Sequence, residues 1–135
     1  MAEGKTKELM KRLEQACDGL IYISEIDAVI VPFAGSESDR VDSDTARRYA
    51  GKEAAAPIEE RDFEEFFKRV TTVREWHGDT EIEKAKKFQV LYELLKEDLS
   101  QIKVLRVGRI RLDIFVMGLD KYGRLAGVKT QAVET

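Results

Sequence analysis

Few residues in this chain are equipped for chemistry. There is one histidine, His77, and one cysteine, Cys17, in 135 residues. That leaves no histidine-rich metal site, no C-x-x-C zinc pattern and no internal disulfide. Glycine-rich phosphate loops of the G-x-x-x-x-G-K and G-x-G-x-x-G kinds are also missing. Adjacent carboxylates occur at Glu59-Glu60 and Glu64-Glu65, where a helix start or an exposed helix face accounts for them without acid–base catalysis. Ser24 and His77 are a nucleophile and a base by type, with nothing in their spacing to join them. Cys17 shares a helical face with Leu9, Leu13 and Ala16 and reads as a small buried hydrophobe, with a reactive thiol as the alternative.

Three places remain that suit binding. Glu25 lies between two apolar runs, Glu75 and Trp76 lie in a loop before Gly78, and Thr135 ends the chain. An α-carboxylate on Thr135 would be a hard oxygen ligand able to reach a metal on another molecule. Each place has a plainer reading. Glu25 is then a solvated acid, Trp76 a lid on the core rather than a protruding anchor, and Thr135 only the last residue.

Those residues depend on elements that the pattern makes legible. Ile110, Leu112, Ile114 and Val116 alternate with Arg109, Arg111, Asp113 and Phe115, the period of a strand with one face in a core. Asp120-Lys121-Tyr122-Gly123 supplies turn chemistry and residues 125–133 read as the return strand. A hairpin tied into a sheet would hold Thr135 where chain ends otherwise fray. A strand over about 103–107 precedes it.

Upstream, Thr6 is placed to cap a helix made amphipathic by Leu9, Met10, Leu13, Ala16 and Cys17, and Gly19 ends it. Residues 20–23 and 28–33 are β-rich, and Pro32 makes the second an edge strand or one ending in a bulge. A polar loop over 35–42 leads to a short helix over 43–50 stopped at Gly51, then a link over 52–57. Asp62 with Glu65 predicts a capping box for a helix burying Phe63, Phe66, Phe67 and Val70, ended by Thr71-Thr72. Thr80 with Glu83 is read as the cap of the longest helix, through about Leu99. Phe88, Leu91, Leu95 and Leu99 form its stripe, with a Glu83–Lys87 ion pair on its face. The expectation is one α+β domain over 1–135, an antiparallel sheet covered by helices on one face or on both.

Composition narrows the classes further. Lysine and arginine number 23 against 26 acids, a net charge of −3. That balance suits neither a basic nucleic-acid binder nor an acidic imitation of DNA by bulk charge, so electrostatic function must come from local placement. No apolar stretch follows Met1, so no signal peptide is expected, and no window approaches a membrane span. With a lone cysteine, this points to an intracellular protein.

Several segments together resemble the nuclease A inhibitor family, small bacterial proteins that block a sugar-non-specific nuclease. The residues carrying the resemblance are Ala16-Cys17-Asp18-Gly19-Leu20, Ser24-Glu25, Phe66-Phe67, Thr71-Thr72 with Trp76, and Lys87-Phe88-Gln89. Leu112-Asp113 with Val116 and Gly118, Leu125-Ala126-Gly127 and Val133-Glu134-Thr135 complete it. The resemblance implies an α/β/α sandwich related to the pathogenesis-related protein 1 architecture, with no enzymatic activity and no cofactor of its own. It implies a 1:1 complex of a monomer with a secreted ββα-metal nuclease, and no direct contact with nucleic acid or membrane. It also narrows the intracellular reading to a cytoplasmic protein. In that complex the α-carboxylate of Thr135 reaches the partner's catalytic Mg²⁺, while Glu25, Glu75 and Trp76 make the other contacts. The chain departs from the family in carrying Glu75 where an aspartate is expected and Cys17 where a serine is, and the stretch 26–61 matches poorly. The alternative is a non-catalytic binding module of the same fold with an unrelated partner.

Overall fold

The computed structural model describes residues 2–36, 39–52 and 55–135, with side chains from residue 7 onward. Among them lie four helices and seven strands. In chain order these are α1 (Ala2–Cys17), β1 (Ile21–Ile23), β2 (Asp27–Val29), β3 (Val31–Ala34), α2 (Ser43–Ala50), β4 (Ile58–Arg61), α3 (Phe63–Thr71), α4 (Asp79–Asp98), β5 (Ser100–Gly108), β6 (Arg111–Leu119) and β7 (Leu125–Val133). Mixed helix and antiparallel sheet is what the order of patterns predicts. β1 and β2 form a two-stranded ribbon, and the remaining strands form a sheet in the order β3-β7-β6-β5-β4. All its neighbours are antiparallel. Pro32 sits in β3 at the sheet edge, where a missing N–H costs no ladder bond.

Apolar clusters lie on both faces of the sheet, as expected of helices covering both, and this corrects only the single buried face read from the alternation over 109–116. Val104, Ile114, Val116 and Val128 enter one cluster with Leu13, Phe67, Phe88, Leu91 and Leu95 from α1, α3 and α4. Leu105, Val107, Phe115, Met117 and Leu125 enter a second, with Phe33, Val41 and Ala46 of α2. Phe115, predicted to point outward, is therefore buried. The cause is α2 and the loop before it, which cover the second face. Ile110 is corrected the other way: it precedes β6 and is 55% exposed. Burying a side chain such as Phe88 or Leu91 stabilises the fold by about 1.5–3 kcal/mol.

Helix ends follow local rules where the cap is a side chain. Asp42 accepts the N–H of Thr45 at 2.9 Å, and Asp62 that of Glu65 at 3.0 Å. Gly51, at φ 67°, closes α2 in the left-handed conformation. α4 departs from the predicted Thr80 cap. Its cap is Gly78, whose N–H donates to the Glu81 carboxylate at 3.0 Å. The Glu83–Lys87 pair is also not formed: Glu83 approaches Lys86 at 3.9 Å. α1 starts at Ala2, so Thr6 is not its cap, and that side chain lies outside the described residues. The unforeseen element is β4, so Glu59 and Glu60 belong to a strand and not to a helix start. Three of its four residues are charged, the composition of a protected edge.

Register is pinned at Gly127, where φ is 157° and an added Cβ would lie 2.0 Å from the Val116 carbonyl oxygen. No side chain fits there without moving the β6–β7 ladder.

Asp39 ties the second face down. Its carboxylate is 4% exposed, accepts the Ser36 N–H at 2.7 Å and bonds to Tyr49 and Arg48 of α2. Burial raises its pKa, but the Ser36 N–H, the Tyr49 hydroxyl and Arg48 outweigh it and lower the value to about 2. A depressed carboxylate stabilises the fold above its unfolded pKa, and that contribution is lost as pH falls through the folded one. For Asp39 the window runs from about pH 4 down to about pH 2. Asp39→Asn should therefore lower the melting temperature at neutral pH and flatten the acid limb in that window. An unchanged acid limb in melts from pH 7 to 2 would show that Asp39 does not carry it.

Candidate functional site

Glu75 and Trp76 are the two central residues of a tight turn. The His77 N–H donates to the Arg74 carbonyl at 3.0 Å, and the Arg74 N–H donates to Nδ1 of His77 at 3.0 Å. This reciprocal closure fixes the turn between α3 and α4 without burying its tip. Trp76 is 76% exposed, with the Arg74 guanidinium 5.4 Å from its ring centroid and the His77 ring at its edge. The lid-on-the-core reading is thereby excluded. Glu75 is exposed beside it.

The chain end is held from several directions. β7 pairs with β6 as far as Arg111↔Val133. Beyond it, the Glu134 N–H donates to the Ile110 carbonyl at 2.9 Å. Ser24 Oγ accepts the Val133 N–H at 3.1 Å, and the Glu25 N–H donates to the Val133 carbonyl at 3.2 Å. The Glu25 carboxylate takes both donors of Thr135, the N–H at 3.1 Å and the hydroxyl at 2.5 Å. Hydrogen bonds to an ionised acceptor are roughly twice as strong as neutral ones. Glu25, far from Thr135 in sequence, is thus its immediate neighbour, and the solvated-acid reading describes only its outer side.

The structure brings Glu25 and Thr135 into contact, and Glu75 and Trp76 lie on a separate segment. A cavity of about 280 Å³ is walled by Ile23 of β1, His77 of the Trp76 turn, Arg69 and Lys84, and none of Glu25, Glu75, Trp76 and Thr135 is among its lining residues. Ile23 is 61% exposed and Val29, on the same face of the β1–β2 ribbon, 63%. The aliphatic ribbon face was missed from sequence, because the alternation that marks it extends over only three residues per strand.

Other chemical candidates resolve plainly. The Ser24 hydroxyl donates to the Ile26 carbonyl at 3.2 Å while accepting from Val133, and Nδ1 of His77 accepts from Arg74. Each group's described bonds go elsewhere, so no nucleophile–base bond joins them. Cys17 is buried and its thiol is pushed up to about 11 by that burial, which keeps it protonated and unreactive at neutral pH. Among the described residues no group of three or more His, Cys, Asp or Glu is placed to hold a metal ion, and no helix is long and apolar enough to cross a membrane.

Trp76 is the sole tryptophan, so its exposure is directly readable. Its emission should resemble that of an indole in water, and acrylamide should quench the folded and unfolded chains almost equally. A blue-shifted emission protected from quencher would contradict the turn geometry.

The family model described as nuclease A inhibitor-like protein matches residues 7–135, nearly the whole chain. A comparison with curated proteins returns no match. The matched stretch contains the Glu25–Thr135 contact, the Trp76 turn and every strand of the sheet, and on that match the chain belongs to the nuclease A inhibitor-like family.

Proposed function

We propose that this protein inhibits a sugar-non-specific nuclease of the ββα-metal class by covering its active site in a 1:1 complex. The observation that carries the reading is the capture of Thr135 by Glu25 on a strand end that the sheet already fixes. A nuclease acting on both RNA and DNA binds the phosphodiester backbone through a basic groove and a metal. An inhibitor with little net charge can meet that groove only by placing acids locally, and Glu25, Glu75 and the α-carboxylate of Thr135 are suited to it.

The partner's Mg²⁺ would take an oxygen of the Thr135 carboxylate. The donor set fits this: carboxylate oxygens are hard ligands, and Mg²⁺ demands close octahedral geometry, so the group must be held accurately. The Glu25 clamp supplies that accuracy and lowers the ordering cost on binding. The remaining ligands would belong to the nuclease. Trp76, exposed at the tip of its turn, would be the apolar anchor, a residue type enriched among binding hot spots. We further assign the fold to the α/β/α sandwiches of pathogenesis-related protein 1 type, supported by apolar clusters on both faces of the sheet. The protein would act in the cytoplasm, on a nuclease awaiting export. A binding module with an unrelated partner would expose Trp76 equally, and the inhibition assay separates the two.

Residues added after Thr135 keep every described bond of the hairpin but replace the α-carboxylate with a neutral carbonyl. Stability should change by no more than about 0.5 kcal/mol. Losing a desolvated charged contact costs about 2–5 kcal/mol of binding, so inhibition should weaken roughly 30-fold to several-thousand-fold. Titrating plasmid-DNA cleavage by a ββα-metal nuclease with the native and extended proteins, with thermal melts as control, decides it. Equal inhibition removes the metal contact. The isolated chain should itself turn over no nucleic acid, peptide or ester, and turnover that survives purification and disappears in His77→Ala would contradict an inhibitor without catalysis.

A further inference from the structure

Arg106 lies in β5, on the sheet face packed by α1, α3 and α4, and is only 9% exposed. Its same-face neighbours along and across the ladder, Val104 and Ile114, are fully buried aliphatics. A guanidinium there is costly to desolvate, and burying an ion pair seldom stabilises a fold more than apolar packing of the same volume. The arrangement is not even fully satisfied: Nε is buried without a hydrogen-bond partner among the described residues. The two outer nitrogens are used. Nη1 approaches the Glu59 carboxylate of β4 at 3.4 Å, and Nη2 bonds to the carboxylate of Glu134. Glu134 is the residue before Thr135, and its own side chain is half exposed.

We propose that Arg106 is a positioning residue for the partner-binding end of the chain: its planar fork, seated in the sheet between Glu59 and Glu134, holds residue 134 and so sets where Thr135 points. The proposal rests on the reading that the Thr135 end meets the nuclease. The physical case is one of rigidity. The Ile110 carbonyl fixes the backbone of Glu134 and Arg106 fixes its side chain, so residue 134 has little freedom left. Glu25 can then hold Thr135 from the other side. A flexible ammonium cannot span both carboxylates as a rigid fork does, which makes lysine an informative substitute. Neutralising Glu134 by Arg106 also removes one negative charge beside Thr135, so that the carboxylates left to face a cationic groove are those of Glu25 and the chain end.

The test uses Arg106→Lys, Glu134→Gln and the double variant, in the native protein and in the C-terminally extended one. Thermal melts establish folding, and Glu134→Gln, altering a half-exposed group, keeps the test available if Arg106→Lys does not fold. Two readouts follow. The first is the heteronuclear NOE of the Thr135 amide, which needs no partner and should fall in either variant. The second is inhibition of a ββα-metal nuclease on plasmid DNA, which should weaken about tenfold to a hundredfold, the scale expected when a supporting contact is loosened. The double variant should lose no more than either single one, and in the extended protein Arg106→Lys should cost nothing further. A rigid Thr135 amide in folded variants would overturn the proposal, as would losses that add, since Glu134 would then be touching the partner directly. If the native protein inhibits no nuclease of this class, the proposed function fails, while the amide measurement still decides whether Arg106 orders the chain end.

Discussion

Strand β7 is the constraint on which the rest of the molecule depends. It is hydrogen-bonded to β3 on one side and to β6 on the other, and it feeds both apolar clusters, Ala126, Val128 and Ala132 into one and Leu125 into the other. A slip of one residue would exchange those faces and expose both sets. The slip is resisted by the covered faces and by Gly127, whose backbone lies too close to Val116 for any other residue. The same register delivers Val133, Glu134 and Thr135 to Ser24, Arg106 and Glu25. Core packing and the geometry of the chain end are therefore one problem with one solution.

The two halves of the candidate site are stiffened by different means. Thr135 is at the end of a central strand, and its position follows from the sheet and from polar side chains that reach it. Trp76 is at the tip of a four-residue turn and owes its place to one imidazole and two hydrogen bonds. The exposed aliphatic side chains of the β1–β2 ribbon, Ile23 and Val29, add apolar surface without contributing to the core. An exposed indole on one segment and clamped carboxylate contacts on another are the residue types from which interfaces draw anchors and orienting charge.

Polar groups at low exposure are few, and they are concentrated at fastening points. Asp39 binds the loop before α2 to α2 itself, which closes the second face of the sheet. Arg106 links the edge strand β4 to the residue before the chain end. In both cases one charged side chain takes partners from separate segments, so its hydrogen bonds define an arrangement of segments as well as filling space.

Local pattern in the sequence was sufficient for whatever depends on neighbours a few residues away. The α2 boundaries, the Asp62 cap, the Phe88–Leu91–Leu95–Leu99 stripe, the terminal hairpin and the edge placement of the Pro32 strand are all of this kind, since capping, periodicity and a missing N–H act within one turn or one strand. The site residues Glu25, Glu75, Trp76 and Thr135 could be singled out from the chain only as types in unusual settings and by family resemblance. What tertiary structure decided is which of them meet. The contact of Glu25 with Thr135 spans almost the whole chain, and nothing in either residue's surroundings encodes it. The burial of Phe115 depended on α2 folding over the far face, and the strand at 58–61 on pairing with β5, because a short charged segment has no strand pattern of its own. The partners of Arg106, Glu59 on β4 and Glu134 before Thr135, are likewise brought to it only by the folded sheet. Such long-range pairings are products of the whole packing, which is why sequence reading reached the elements and stopped short of the site they build.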